Sequence, residues 1–228
     1  MLSIIICTLN EEEGIAKTIC SIPKKIRETS ELIVVDVSDD FTPIIAKELG
    51  ATVLKEEKRG KGWQMRQAVK KSKGDILVFM DGDGTDPGQY IPKLLKKLEK
   101  SNLVLGCRNS KEFKGKNLKA YPRQSYIIWD MIFYPTNKIL GLKVSDPLAG
   151  FRAIRRVDWD KLDLKNNDFT IETEMNIRAV QENFTITQVL IPSLKRLGGL
   201  SGSKFLKSPK MWIKIYKMIS NYNKEKVK

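Results

Sequence analysis

Asp75-Ile-Leu-Val-Phe-Met-Asp81 runs directly into Gly82-Asp-Gly-Thr-Asp86, and the reading of this stretch decides the fold. The apolar residues between Asp75 and Asp81 are consecutive rather than alternating. That is the pattern of a strand covered on both faces, as in a parallel sheet flanked by helices. The acidic, glycine-bearing turn after Met80 marks the carboxyl end of the strand, where open α/β sheets bind ligands.

Working outward, Leu2 to Thr8, Glu31 to Asp36, Ala51 to Leu54 and Asn102 to Cys107 read as further strands. Helical patterns separate them. Asn10 is expected to cap a helix carrying Glu11, Glu12 and Glu13 in its first turn, which suits the positive helix end. Thr42-Pro43 opens another helix reaching about Gly50, and Trp63 to Ser72 and Pro92 to Lys100 supply two more. Strands joined through helices imply right-handed crossovers and an α/β fold with a mostly parallel, Rossmann-like sheet.

After Arg108 the pattern changes. A basic loop, Lys111 to Lys119, leads to an aromatic-rich helix near Ser125 to Gly141. A helix over Ile171 to Glu182, a strand over Phe184 to Ile191 and a Gly/Ser loop over Gly198 to Ser203 precede a final helix from about Pro209. Without repeats or a low-complexity linker, the expected organisation is one domain over residues 1–206. A nucleotide half (1–107) and an acceptor half (108–206) divide it, and a basic amphipathic helix occupies 207–228.

Composition excludes several chemistries. The 228 residues contain no histidine, which removes imidazole acid–base catalysis, His-containing triads and His-ligated zinc. Cys7, Cys20 and Cys107 lie far apart and are expected to be reduced, buried thiols of a cytosolic protein. The first apolar run lacks the basic leader of a signal peptide, and the longest membrane candidate, Ile127 to Leu142, is interrupted by Asp130, Pro135, Asn137 and Lys138. A soluble or peripheral cytoplasmic protein is the expectation. A net charge of +14 points to an anionic partner, whether nucleic acid, phosphorylated substrate or anionic lipid. No recognition-helix, zinc or base-stacking motif supports nucleic acid.

Polar clusters fall at the ends of three strands: Thr8 to Glu11, Asp36 to Asp40 and Asp81 to Asp86. So much negative charge on one sheet edge calls for a cation, and a divalent metal holding a diphosphate fits it. Any one cluster taken alone is also compatible with turn chemistry, Asp and Gly being chosen for their backbone angles. A calcium loop fails, because Asp86 stands where its glycine belongs and Pro92 where its last glutamate belongs. Asp81-Gly-Asp-Gly-Thr85 also matches the signature of haloacid-dehalogenase phosphatases, although three strands precede it and Asp-Pro comes directly after it. Gly60-Lys61-Gly62 before a helix, without Walker-A spacing, reads either as a turn offering backbone amides and an ammonium to phosphate or as a flexible basic turn.

Taken together, these residues resemble the family-two glycosyltransferases of GT-A fold, in particular the dolichol-phosphate mannosyltransferase group. Ile6 to Glu12, Leu32 to Asp36, Gly60-Lys-Gly62 with Arg66, Asp81-Gly-Asp83 and Leu105-Gly-Cys-Arg108 carry the likeness. The most specific match is Ser145-Asp-Pro-Leu-Ala-Gly-Phe-Arg152, with Glu172, Glu174 and Arg196 to Lys204 further along. The chain departs from the pattern at Leu9, at Val37, where the group has a second aspartate, and at Thr85, where it often has glutamine.

The resemblance implies a site. Cys7, Thr8, Leu9, Asn10, Glu11, Val35, Asp36, Val37, Lys61, Asp81, Gly82, Asp83 and Lys204 would contact a nucleotide-sugar. Asp81, Asp83 and Thr85 would hold Mg2+ or Mn2+. Arg108, Arg123 and Arg196 would position the phosphate of a polyprenyl or dolichyl acceptor, with Asp83 and Asp146 as further catalytic-site residues. The implied product is a polyprenyl or dolichyl phosphate hexose with inverted anomeric configuration, with mannose from GDP-mannose first among the donors; the alternatives are UDP-glucose or UDP-N-acetylglucosamine as donor and a hydroxyl in place of the lipid phosphate as acceptor. In the final helix, Met211, Ile215, Met218, Ile219 and Tyr222 recur at helical spacing beside Lys210, Lys214, Lys217 and Lys224. That pattern suits either a membrane surface or packing on the core. Ile127 to Trp129 and Met131 to Tyr134 offer a second apolar contact. A membrane-protein partner is compatible with a chain that lacks its own span.

Overall fold

The computed structural model describes residues 1–108, 129–197 and 208–226. Arg123, Lys204, the basic loop after Arg108 and the Gly/Ser loop before Pro209 lie outside them.

The strands are β1 (Leu2–Thr8), β2 (Glu31–Asp36), β3 (Thr52–Lys55), β4 (Ile76–Asp81), β5 (Leu103–Arg108), β6 (Arg152–Arg155) and β7 (Ile186–Ile191). They form one sheet in the order β3-β2-β1-β4-β6-β5-β7. Only β6 runs antiparallel, between β4 and β5. The helices are α1 (Glu12–Ser21), α2 (Lys24–Thr29), α3 (Thr42–Glu48), α4 (Lys61–Lys71), α5 (Ile91–Leu98), α6 (Tyr134–Leu140), α7 (Arg156–Leu162), α8 (Ile171–Gln181) and α9 (Pro209–Lys226). A π-helical turn, Trp129–Phe133, enters α6.

Alternate residues of each central strand feed opposite cores, as the period of two requires. Ile5, Ile33, Val35, Leu77 and Phe79 pack with Met65, Trp159 and Met175 of α4, α7 and α8. Ile4, Ile6, Val34, Val78 and Met80 pack with Ile15, Ile19, Ala46, Ile91 and Leu94 of α1, α3 and α5. Both faces of the sheet are therefore covered, which explains the unbroken apolar runs. Each fully buried aliphatic side chain contributes about 1.5–3 kcal/mol.

Register brings the acidic ends together. Cys7 pairs with Val35 on one side and Asp81 on the other, and Thr8 pairs with Asp36. Because β6 is reversed, its first residue, Arg152, lies opposite Phe79 and Leu105. The loop before β6 is thereby delivered to the carboxyl edge of β4 and β5.

Several expectations are corrected. The helix after β1 starts at Glu12, with Glu11 at its N-cap position. Asn10 does not cap it; the residue adopts φ 55° and its side chain accepts a hydrogen bond from the Asp39 amide at 3.0 Å. Asparagine tolerates this left-handed turn better than most residues. The elements α2, β6 and α7 give no clear periodic signal in the sequence. Cys20 is exposed rather than buried. In α9, Ile215, Ile219 and Tyr222 are buried, the first two against Ile132 and Phe133. That part of the apolar stripe packs on the protein itself, while Ile213 and Tyr216 face outward, more than half exposed. No helix among the described residues is long and apolar enough to cross a membrane.

Candidate active site

The end of β2 is closed. Asp36 is fully buried and accepts hydrogen bonds from the Thr8 hydroxyl at 2.8 Å, the Ser38 hydroxyl at 2.5 Å and the Ser38 amide at 3.1 Å. Lys55 completes its shell at 2.9 Å. Beneath it, buried Gln64 donates to the carbonyls of Thr8 at 2.9 Å and Val35 at 2.7 Å, tying β1 to β2. Val37, buried behind this turn, places no polar group on the site.

The end of β4 is open by comparison. Asp81 retains 37% of its side-chain exposure and pairs through Oδ1 with the Lys61 ammonium at 2.5 Å. Lys61 in turn reaches Glu172 at 2.7 Å and is almost fully buried. Burial alone would lower the lysine's pKa, and the two carboxylates reverse that, holding it well above its ordinary value and charged. Burial likewise works against the Asp81 charge, and Lys61, then Arg196 and Arg108, oppose it, so the carboxyl stays below its ordinary range.

Two tight approaches create this geometry. A Cβ on Gly150 would lie 2.6 Å from both Asp81 Oδ2 and Lys61 Nζ. A Cβ on Gly62 would collide with the Asn166 carbonyl oxygen. The start of α4 thus nests against the 163–170 loop, which Glu174 fixes by accepting from the amides of Lys165 and Asn166 at 2.9 and 2.8 Å.

Beyond Asp81, the Thr85 amide and hydroxyl donate to Asp83 Oδ1 at 3.0 and 2.6 Å. The Thr85 hydroxyl therefore orients Asp83. Arg196 forms an ion pair with Glu11 and reaches Asp83 Oδ2 at 3.4 Å. Asp86 accepts from the Asp81 amide at 2.7 Å. Its burial, with Asp81 and Asp83 alongside, raises its pKa well above the ordinary value and favours the neutral acid. Loss of water around the Cys7 thiol pushes it up to about 12, so it is no nucleophile here.

On the far side, Arg108 at the end of β5 holds buried Asp146 through Nε at 2.7 Å and Nη2 at 2.5 Å. Asp146 Oδ1 also accepts from the Leu148 amide at 3.2 Å, so this carboxylate organises both the loop and the arginine. Arg152, fully buried, is the anchor that sequence reading missed as a separate element of the site. It donates to the carbonyls of Ala149 at 2.6 Å and Pro147 at 2.8 Å, and to Asn176 Oδ1 at 2.8 Å. Its place at the end of the Ser145–Arg152 motif was the available signal. A separate cleft of about 390 Å3 between α4 and α7, lined in part by Arg66, Lys70 and Trp159, lies off this strand edge.

The donor set suits a hard divalent ion. Among the described residues no group of three or more acidic or thiol side chains gathers as a metal site. Asp81 and Asp83 supply two carboxylates, and Asp81 Oδ2 faces the gap left by Gly150. Mg2+ and Mn2+ are commonly held by a few carboxylates plus phosphate oxygens and water. Such a site is completed by its substrate.

A doubly covered sheet with an acidic pair at the end of its central strand and cations converging on it makes a site of mixed charge on a GT-A fold. The chain belongs to glycosyl transferase family 2, whose model matches residues 3–162. It is 29% identical to a dolichyl-phosphate hexose transferase of Haloferax volcanii over 198 residues, covering 86% of this chain and 84% of that one. Identity is 28% with an undecaprenyl-phosphate mannosyltransferase of Micrococcus luteus, covering 87% of this chain and 88% of the relative. The fold also matches glucosyl-3-phosphoglycerate synthase from Mycobacterium tuberculosis, solved with Mn2+, UDP-glucose and phosphoglyceric acid, at a TM-score of 0.73. That likeness has 21% identity and covers 98% of this chain and 79% of the other. Family membership removes the phosphatase alternative, since Asp81-Gly-Asp-Gly-Thr85 closes a central strand of a glycosyltransferase sheet.

Proposed function

We propose that this enzyme transfers a hexose from a nucleotide-sugar to the phosphate of a polyprenyl or dolichyl lipid at the cytoplasmic face of a membrane, inverting the anomeric carbon. The observation that carries the reading is the convergence of Lys61, Arg108 and Arg196 around Asp81 and Asp83. Two anionic reactants must meet there, and a site of mixed charge can hold both.

In this reading the end of β1, from Cys7 to Glu11, with Val35, Asp36, Val37, Lys61, Gly82 and Lys204, forms the donor half. Asp36 acts there by shaping the β1–β2 edge, because its oxygens are committed to Thr8, Ser38 and Lys55. Asp81 and Asp83 would hold Mg2+ or Mn2+, which supplies charge neutralisation to the departing diphosphate. Arg108, positioned by Asp146, would set its positive charge against the acceptor phosphate, with Arg123, while Arg196 serves the donor side of the site. A lipid phosphate is already anionic near neutral pH, so no side chain has to accept a proton from it. That agrees with a chain lacking histidine.

The names of the H. volcanii and M. luteus relatives support a lipid-phosphate acceptor. On α9 the outward Ile213 and Tyr216, with exposed Lys210 and Lys217, give the face that would meet anionic lipid. The test is a thermal-shift series with GDP-mannose, UDP-glucose and UDP-N-acetylglucosamine, each with and without Mn2+, and then transfer to a short polyprenyl phosphate. A metal-dependent rise in midpoint for one donor is expected. No shift for any donor and no transfer would reject the reading.

A further inference from the structure

Arg196 sits on the segment after β7 and meets Glu11, 185 positions earlier in the chain, and Asp83. Its guanidinium pairs with Glu11 and stands 3.4 Å from Asp83 Oδ2. The Leu197 amide donates to the Asp83 carbonyl at 3.1 Å, which pins the segment across the acidic loop. Glu11 and Asp83 have only 8% and 13% of their side-chain surfaces exposed. Carboxylates this sheltered are costly when unpaired, so a cation must stand among them whenever no metal is bound.

We infer that Arg196 is that cation: an internal stand-in that balances Asp83 and Glu11 in the free enzyme and is drawn off when the nucleotide diphosphate and its divalent ion arrive. The inference rests on the reading that Asp83 holds the metal.

The two cations of the site differ in how they are held. Lys61 is locked between Asp81 and Glu172 at 2.5 and 2.7 Å and is 7% exposed. Arg196 lies on an irregular segment, 20% exposed, with a long contact to Asp83. Among the described residues its Nε has no hydrogen-bond partner. A divalent ion on Asp83 would repel a guanidinium sharing the same oxygen. The displaced fork finds a better acceptor in phosphate, which it grips with two parallel hydrogen bonds. Metal and nucleotide therefore bind cooperatively. The metal alone must compete with the arginine, and the diphosphate relieves that competition.

The experiment is a titration of the metal-free protein with MnCl2, tracking free Mn2+ by electron paramagnetic resonance, alone and with GDP or UDP. Wild type is expected to bind Mn2+ weakly alone and at least about tenfold more tightly with one nucleotide. Arg196→Gln should bind Mn2+ alone about five- to tenfold more tightly than wild type, and the nucleotide's enhancement of Mn2+ binding should shrink, with Mn2+'s enhancement of nucleotide binding shrinking equally by linkage. Arg196→Lys, whose single ammonium cannot bridge both carboxylates, should shift in the same direction by about two- to threefold, and it serves as the test if the glutamine variant fails to fold. Nucleotide-dependent Mn2+ binding in wild type, with neither variant tightened in its absence, overturns the counter-cation role alone. Absence of Mn2+ binding under every condition overturns the metal reading as well.

Discussion

Strands β2 and β4 both end in aspartate on the same edge of the same sheet, yet the two carboxylates have opposite fates. Asp36 has no exposed surface and receives four hydrogen bonds, from Thr8, Ser38 and Lys55, within 3.1 Å. Asp81 keeps over a third of its side-chain surface and leaves one oxygen over the gap at Gly150. The difference lies in the turn that leaves each strand. After Asp36, Ser38 folds its amide and hydroxyl back onto the carboxylate. After Asp81, the Gly82-Asp-Gly-Thr85 turn directs its hydroxyl to Asp83 instead. One aspartate is saturated by its neighbours and the other stays partly exposed. A residue's type at a strand end is therefore weaker evidence of role than the saturation of its hydrogen bonds.

The comparison is sharpened most by Asp83→Ala. Transfer should fall about a thousandfold, several kcal/mol of transition-state stabilisation, while the circular dichroism melt stays near that of wild type. Wild-type turnover in the variant would remove the open end of β4 from the chemistry. Gly150→Ala comes next. Its new Cβ must displace Asp81 or Lys61 from 2.6 Å contacts, costing about 1–3 kcal/mol of stability and lowering metal-dependent turnover. An unchanged metal titration would show that Asp81 has room to spare.

Asp36→Asn should do the reverse of Asp83→Ala. Stability drops by about 2 kcal/mol as buried charge-assisted hydrogen bonds are lost, and the donor KM changes little. A tenfold rise in donor KM at unchanged stability would return Asp36 to the nucleotide and erase the contrast.

The smallest effect concerns the frame behind Lys61. Asp168 accepts from the Lys214 ammonium at 2.6 Å, joining α9 to the loop that nests against α4. Both side chains are at least a third exposed, so Lys214→Met should cost about 0.5 kcal/mol near pH 7. Burial opposes the Asp168 charge, and the bonds from Lys214 and Thr170 prevail, setting its folded pKa below the ordinary 3.8. A depressed carboxyl stabilises the fold above its unfolded pKa and loses that contribution as pH falls through the folded value. The gap between wild type and variant should therefore close below about pH 4. A gap that persisted in acid would mean the lysine acts through packing.

Much of the site was legible because its residues cluster at strand ends. Asp81, Asp83 and Lys61 stand within short recognisable motifs, and the structure brings Asp81 and Lys61 into direct contact. Arg108 and Asp146 were read as separate members and are one hydrogen-bonded unit. Gln64 and Arg152 escaped notice as working residues because nothing local distinguishes a buried polar anchor from a surface one. Strand β6 escaped because four residues, two of them arginines, carry no usable period.

The amino-acid sequence by itself determined the α/β class, the parallel strands of its first half, the position of the acidic turns and the family. Those arise from local periodicity and short-range motifs, which neighbouring residues encode. Only the tertiary structure decided which carboxylates are sealed and which are open, that Ile215 and Ile219 of the final helix pack on the protein, and that Arg196 returns from the far end of the chain to Asp83. Burial and charge pairing are sums over atoms contributed by distant segments, so they come into being only when the sheet and its loops close around them.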